Sequence, residues 1–281
     1  MIQLAGSSPI TVADLTNAQF ERVGQILHQH CGIRLKQGTH ILVKSRLMKR
    51  LRVLGMENFG QYLGHLASSA GQEELIAMID SLTTNKTSFF REPQHFDFMR
   101  RQILPEIASR QQAPRIWSAG CSTGEEPYSL AIMLLEHLPP ALIGKAGILA
   151  TDISTRVLAT ASEALYLRES LHGMTPHLAQ KYFKAEEDAY RVEAQVRRLV
   201  RIARLNLMDT WPMRGPFDAI FCRNVMIYFD KPTQETLVRR FAGILRPGGY
   251  LCVGHSESIF SSGQDLRYVQ PAVYVKVEDK P

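Results

Sequence analysis

The stretch Trp117-Ser-Ala-Gly120-Cys-Ser-Thr-Gly124-Glu125-Glu126-Pro127-Tyr128 runs from an apolar strand pattern, through a glycine-containing loop, into a helical pattern. A loop of this kind lets a ligand approach the backbone closely at the carboxyl edge of a sheet. The spacing is not GxGxxG, and GKS or GKT is absent, so neither a dinucleotide pyrophosphate nor a P-loop triphosphate fits. Glu125 and Glu126 argue the same way, because two carboxylates repel phosphate and favour a cation. Asp152 follows a second strand pattern, where doubly wound folds place an acid that accepts hydrogen bonds from a ribose; Asp in that position also caps helices. Glu125 and Asp152 together describe a pocket for a positively charged, ribose-bearing molecule. S-Adenosylmethionine has an ammonium, a sulfonium and an adenosine, which favours a methyltransferase over a nicotinamide enzyme.

Such a pocket needs strands that end at one edge. From Arg115 onward strand and helix patterns alternate, predicting a parallel sheet with covering helices. The expected strands are 115–119, 148–151, 217–222, 250–254 and 273–277, and the expected helices 126–138, 155–165 and 233–245, with Pro247-Gly-Gly as a turn. Tyr190 to Leu205 carries no parallel-partner signal and reads as part of a small antiparallel insertion over about residues 184–205.

The preceding residues read as successive helices. Thr16-Asn-Ala-Gln19 is a capping-box pattern, Gly32 ends the helix it opens, and a second helix runs from Ile41 to Leu54 with Val43, Leu47, Leu51 and Leu54 on one stripe. Lys44, Arg46, Lys49, Arg50 and Arg52 fan around the rest of it with no acid among them. Solvated faces usually mix both signs, so this helix reads equally as a docking surface for an acidic partner. Two more amphipathic segments follow, and Pro93 suits the first turn of a further helix over 91–108. The expected division is a helical domain with linker, 1–90, and an α/β domain, 91–281.

Composition sets the outer limits. With 45% hydrophobic residues in 281, the chain buries enough surface to order, and its length suggests about two domains. The longest apolar run, Leu130 to Leu135, falls far short of the roughly 18 residues of a membrane span. Met1 to Pro9 lacks the basic start and apolar stretch of a secretory signal, which predicts a cytoplasmic protein. Cys31, Cys121, Cys222 and Cys252 are too widely spaced for a CxxC zinc pattern and read as reduced, buried thiols; no metal is expected. The net charge of +6 points to an acidic partner.

Leu82-Thr-Thr-Asn-Lys-Thr-Ser-Phe-Phe-Arg-Glu92, the Trp117 to Tyr128 loop and Gly215-Pro-Phe-Asp-Ala-Ile-Phe-Cys-Arg-Asn-Val-Met-Ile-Tyr-Phe-Asp230 resemble the chemotaxis receptor methyltransferases, the CheR family. Leu245-Arg-Pro-Gly-Gly249 and Gly254-His-Ser-Glu257 extend the match, so the resemblance covers roughly Thr16 to Val277. It implies a Rossmann-like methyltransferase domain preceded by an all-helical domain. It further implies S-adenosylmethionine-dependent methylation of glutamates on the cytoplasmic helices of methyl-accepting chemotaxis receptors, with S-adenosylhomocysteine as product. By motif position, Asn85, Thr87 and Arg91 would reach the cofactor from the linker, near the Gly120 loop. Glu125 would hold the methionine ammonium and Asp152 the ribose hydroxyls, while Asn206, Leu207, Arg223 and Asn224 would line the remainder. Arg91 and Tyr228 are candidates for orienting the acceptor carboxylate, although Tyr228 also suits a core aromatic and Asn206 and Asn224 suit turns. His255 reads as structural, because the reaction relays no proton.

Family members that tether to a receptor's terminal pentapeptide carry a glycine-bearing loop in the insertion. Here the stretch is Lys184-Ala-Glu-Glu-Asp-Ala189, without glycine and with three acids, which predicts an enzyme independent of that tether. A nucleic-acid methyltransferase is the rival by composition, but Asn224-Val-Met-Ile-Tyr228 lacks the prolines of an Asn-Pro-Pro-Tyr-like turn that presents donors to a flipped base. A catalytically silent cofactor sensor is the non-enzymatic alternative.

Overall fold

The structure is a computed structural model that describes residues 14–259 and 265–277; Met1 to Pro9, read above for a signal, lies outside the described residues. The chain divides into two compact units, 1–83 and 84–281, so residues 84–90 belong with the second.

The first unit is helical: α1 (Asn17–Cys31), α2 (His40–Leu54), α3 (Phe59–Leu66) and α4 (Gln72–Leu82). The Thr16 hydroxyl accepts from the Gln19 amide while the Gln19 side chain accepts from the Thr16 amide, so two amides that no helix turn can satisfy are paired at the start of α1. Val23, Leu27, Val43, Leu47, Leu51, Phe59, Tyr62 and Met78 are buried, which turns the apolar stripe of α2 inward.

The second unit opens with α5 (Pro93–Phe98), which continues through a π-helical turn into α6 (Leu104–Arg110). Then follow β1 (Arg115–Ala119), α7 (Glu125–His137), α8 (Pro140–Ile143), β2 (Gly147–Asp152) and α9 (Thr155–Glu163). Next come β3 (Leu165–Leu167), α10 (Pro176–Tyr182), β4 (Phe183–Glu186), β5 (Ala189–Val192), α11 (Ala194–Arg197) and β6 (Val200–Arg204). The unit closes with β7 (Phe217–Cys222), α12 (Lys231–Ile244), β8 (Leu245–Val253), β9 (Leu266–Gln270) and β10 (Val273–Lys276). Among the described residues the main sheet has the order β6-β2-β1-β7-β8-β10-β9; its pairs are parallel as far as β8, and β10 runs antiparallel to both β8 and β9. The order reverses at β1, whose neighbours are β2 and β7, and the crevice beyond the ends of such strands is where doubly wound folds bind ligands.

The central strands are buried on both faces. Ile116, Ala219 and Phe221 pack with Leu130 and Leu134 of α7; Trp117, Ile220 and Cys222 pack with Leu237 and Phe241 of α12. The sheet is thereby sandwiched, as near-continuous apolar strands require. The four cysteines are free and buried.

Two expectations need correction. Val200–Arg204 is not part of the antiparallel insertion: it pairs in parallel with β2, from Ile148 opposite Val200 to Asp152 opposite Arg204. The insertion is the three-stranded sheet β3-β5-β4, formed from residues 165–192. An edge strand with one wet face alternates polar and apolar residues whatever its pairing direction, so alternation alone misassigned it. Pro247-Gly-Gly is not a separate turn either. It lies inside the nine-residue β8, whose register against β7 shifts between Phe217 and Ala219.

Candidate active site at the switch point

The β1–α7 loop is pinned from three sides. The Gly120 and Cys121 amides donate to the Thr151 carbonyl at 2.7 and 2.9 Å, the Ser122 amide donates to Asp152 Oδ2 at 2.9 Å, and Tyr166 Oη donates to the Thr123 carbonyl at 2.7 Å. Gly120 has φ +85°, and a Cβ there would stand 2.3 Å from Val225 Cγ2, so the β7 loop closes directly onto the β1 loop. The Ser122 hydroxyl donates to the Asn85 carbonyl at 3.0 Å, tying the linker to the same loop.

Glu125 and Glu126, adjacent in sequence, have different environments. Glu126 accepts from Ser118 Oγ at 2.7 Å and from Arg223 Nη1 at 3.0 Å, so it has a cation within the protein, although burial outweighs these partners and raises its pKa too. Glu125 is buried, accepts from Thr123 Oγ1 at 2.6 Å, and has only neutral partners among the described residues; burial raises its pKa. A buried carboxylate without a counter-cation is a fit for a ligand ammonium, so one of the two acids read as attracting a cation remains for that purpose. Asp152, at the end of β2, accepts from the Ser122 and Ser154 amides, one on each oxygen, which fixes the carboxylate at the strand end where doubly wound folds hold a ribose.

Arg223, at the end of β7, is a buried hub. Nη1 donates to Glu126, while Nη2 donates to the Arg91 carbonyl and to Glu92 Oε2, the last at 3.1 Å. Both terminal nitrogens are committed to protein partners and Nε is fully buried, so any ligand contact from Arg223 falls to its backbone. Burial alone would push Glu92 up, but the charge and hydrogen bond of Arg223, with Asn224, hold it below the ordinary carboxylate value. Asn224 Nδ2 donates to Glu92 Oε1 at 3.3 Å, and Tyr228 Oη donates to the Thr84 carbonyl at 3.3 Å. Arg91 Nη1 donates to the Lys86 carbonyl at 2.7 Å. The linker, the β1 loop and the β7 loop thus meet at one edge of the sheet.

Asn206 and Leu207 follow β6. Asn206 forms a turn, accepting from the Met208 amide at 3.1 Å and donating to Asp209 at 3.0 Å. Leu207 is buried with Trp117 and Trp211 on the α12 face. Thr87 is half-buried in the linker. Sequence reasoning missed Ser122 and Glu92, whose roles arise from contacts across many residues, and Thr123, which bonds Glu125 two residues on. Glu92, His95 and His255 bring one potential ligand atom each within 4.8 Å of one another. Arg223 already holds the Glu92 carboxylate, so a metal ion there would face a fixed positive charge; burial pushes His95 down to about 4, leaving it neutral at pH 7.

Residues 85–275 match the family model described as CheR methyltransferase, SAM binding domain, and residues 18–83 match CheR methyltransferase, all-alpha domain. The chain belongs to the CheR methyltransferase family. It is an S-adenosylmethionine-dependent methyltransferase, as the glycine loop and its acids suggested. A chemotaxis protein methyltransferase of Borreliella burgdorferi is 41% identical over 271 residues, covering 94% of this chain and 95% of the relative. Relatives of the same name from Klebsiella aerogenes and Escherichia coli are 43% and 44% identical, covering 95% and 87% of this chain and 92% and 85% of theirs. No helix among the described residues is long and apolar enough to cross a membrane.

In the all-alpha domain of this CheR chain, the five cations of α2 divide by environment. Arg50 makes a bidentate pair with the buried Glu74, Nε to Oε1 at 3.0 Å and Nη2 to Oε2 at 2.6 Å, and Tyr62 Oη adds a 2.7 Å bond to the same carboxylate. Arg46 donates to the Leu82 and Thr83 carbonyls at the end of α4, and Lys44 pairs with Asp14 at 2.7 Å. Lys49 and Arg52 are exposed on a face shared with Ile41 and Val53, which are 80% and 70% exposed. Charge reversal at Arg46 and Arg50 therefore strikes the domain's own packing, and Lys49 and Arg52 are the cations left on the outer face.

Proposed function

We propose that this chain transfers the methyl group of S-adenosylmethionine to the γ-carboxylate of glutamates on the cytoplasmic helices of chemoreceptors, giving glutamate methyl esters and S-adenosylhomocysteine. The observation that carries this reading is the near full-length match to proteins named chemotaxis protein methyltransferase. The cofactor supplies an electrophilic methyl group. Glu125 holds its ammonium and Asp152 its ribose hydroxyls, with Asn85, Thr87, Gly120, Asn206, Leu207, Asn224 and the backbone of Arg223 around them. No catalytic base is required, since a glutamate of pKa about 4.3 is already ionised at neutral pH. Arg91 and Tyr228 orient that carboxylate in line with the methyl carbon. Orientation of this kind is worth on the order of 7 kcal/mol, and excluding water strengthens the nucleophile. Methyl transfer to receptor cytoplasmic fragments, with the product linkage read chemically, tests the assignment.

The outer face of α2 docks on the receptor, with Lys49 and Arg52 meeting acidic helices and Ile41 and Val53 adding apolar contact. Reversing both charges, Lys49→Glu with Arg52→Glu, lowers kcat/KM for a receptor fragment about tenfold at low ionic strength, and the deficit shrinks as salt is raised. Cofactor affinity stays unchanged in a titration of the same variant. Arg50→Glu instead lowers the melting temperature, because it leaves Glu74 buried without its cation. Equal receptor kinetics in the Lys49/Arg52 variant would remove α2 from the docking account.

The enzyme works without a pentapeptide tether. Support comes from the β4–β5 hairpin, where only Glu187 and Asp188 separate the strands and Glu186 is paired with Arg191 at 2.8 Å. Both turn residues are exposed acids, which disfavour a peptide's terminal carboxylate.

A further inference from the structure

The motif Gly254-His-Ser-Glu257 has no part in the chemistry described so far. Glu257 follows β8 and is only 8% exposed, and its carboxylate reaches beneath the β7–α12 loop. Oε2 accepts from the Asn224 amide at 2.8 Å and the Gly254 amide at 2.5 Å, while Oε1 accepts from the Ile227 amide at 3.1 Å. One side chain thus gathers amides from two loops. The loop it holds carries Asn224, whose φ of 60° is uncommon for a residue with a Cβ, and Tyr228 one residue beyond Ile227. Gly254 is what permits the approach: a Cβ there would lie 2.5 Å from Asn224 Nδ2 and 2.8 Å from Glu257 Oε2.

We propose that Glu257 is a positioning residue for methyl transfer, a carboxylate clasp that sets the Asn224–Tyr228 loop so that Tyr228 meets the acceptor carboxylate in line with the methyl group. This rests on the receptor-glutamate reading above and assigns that reading a residue it lacked. A carboxylate offers acceptors on both oxygens to all three amides. Glutamine would turn an NH2 toward at least one N–H, and aspartate falls a methylene short of the loop. The loop then relaxes, and a displacement of about 1 Å in an orienting group can lower turnover on the order of 100-fold.

The test uses the full chain, with Glu257→Gln and Glu257→Asp compared with wild type on a receptor cytoplasmic fragment. Expected for Glu257→Gln is a fall in kcat of about 30-fold or more, with KM for the cofactor within about threefold and S-adenosylhomocysteine still bound at one per chain. A merely structural role would lower the bound stoichiometry in step with kcat, and that result overturns the proposal. So does a kcat within about threefold of wild type. Glu257→Asp, which keeps the charge, gives the same readout if the Gln chain does not fold. Failure of the wild-type chain to methylate the fragment would overturn the underlying reading, and the clasp with it; wild-type transfer with unimpaired variants would overturn the clasp alone.

Discussion

Glu125→Gln lowers the affinity for S-adenosylhomocysteine about 100-fold in a calorimetric titration, the loss expected for a charge-assisted hydrogen bond of nearly 3 kcal/mol in a dry site. The substitution preserves shape and removes only the charge. That charge is buried beside Thr123, no cation among the described residues answers it, and burial raises its pKa. A ligand ammonium stabilises the ionised form, so the pKa falls on binding. Affinity is therefore full above the raised pKa of the free enzyme and declines as pH drops through it, with proton release accompanying binding in that window. The Gln variant loses this pH dependence along with the affinity. Unchanged affinity in Glu125→Gln would mean that the ammonium is held elsewhere.

Arg223→Met destabilises the α/β unit by about 3–5 kcal/mol, a drop of roughly 10 °C in melting temperature for a domain of this size. Arg223 is the shared cation of Glu92 and Glu126, and its loss leaves two carboxylates in a desolvated cluster. Without Arg223, Glu92 rises above its unfolded value and Glu126, already raised by burial, rises further. Stability of the variant is then greatest below the unfolded carboxylate pKa and is lost as pH rises through the folded values, so the deficit against wild type narrows toward acid pH. A melting temperature equal to wild type at neutral pH contradicts the hub. Activity falls as well, because Arg223 also holds the Arg91 carbonyl and, through Glu92, the side chain of Asn224.

Much of this arrangement was legible in the chain. The capping box at Thr16, the strands at Arg115 and Phe217 and the loop between β1 and α7 each carry a local signal, a side-chain pattern or a glycine spacing, that a few neighbouring residues specify. What escaped depended on distant partners. Glu125 and Glu126 look alike in sequence, and a contact with Arg223, 97 residues on, gives Glu126 a cation that Glu125 does not have among the described residues. The cations of α2 likewise look equivalent until Glu74 claims Arg50 and the end of α4 claims Arg46. Strand β6 was misplaced because a wet edge strand alternates in either pairing direction. Glu257 stood in a recognisable motif, yet its work lies in amides about 30 residues earlier.

The most direct measurement follows labelled methyl from S-adenosylmethionine into receptor cytoplasmic fragments and then treats the product with alkali. Label that is transferred by the wild-type chain, reduced in Glu125→Gln at sub-saturating cofactor and released by alkali as methanol is the predicted result, because a glutamate methyl ester hydrolyses under those conditions. Alkali-stable label would indicate N-methylation, and an absence of label would indicate a cofactor sensor; either would contradict the assignment of receptor glutamates as the acceptor.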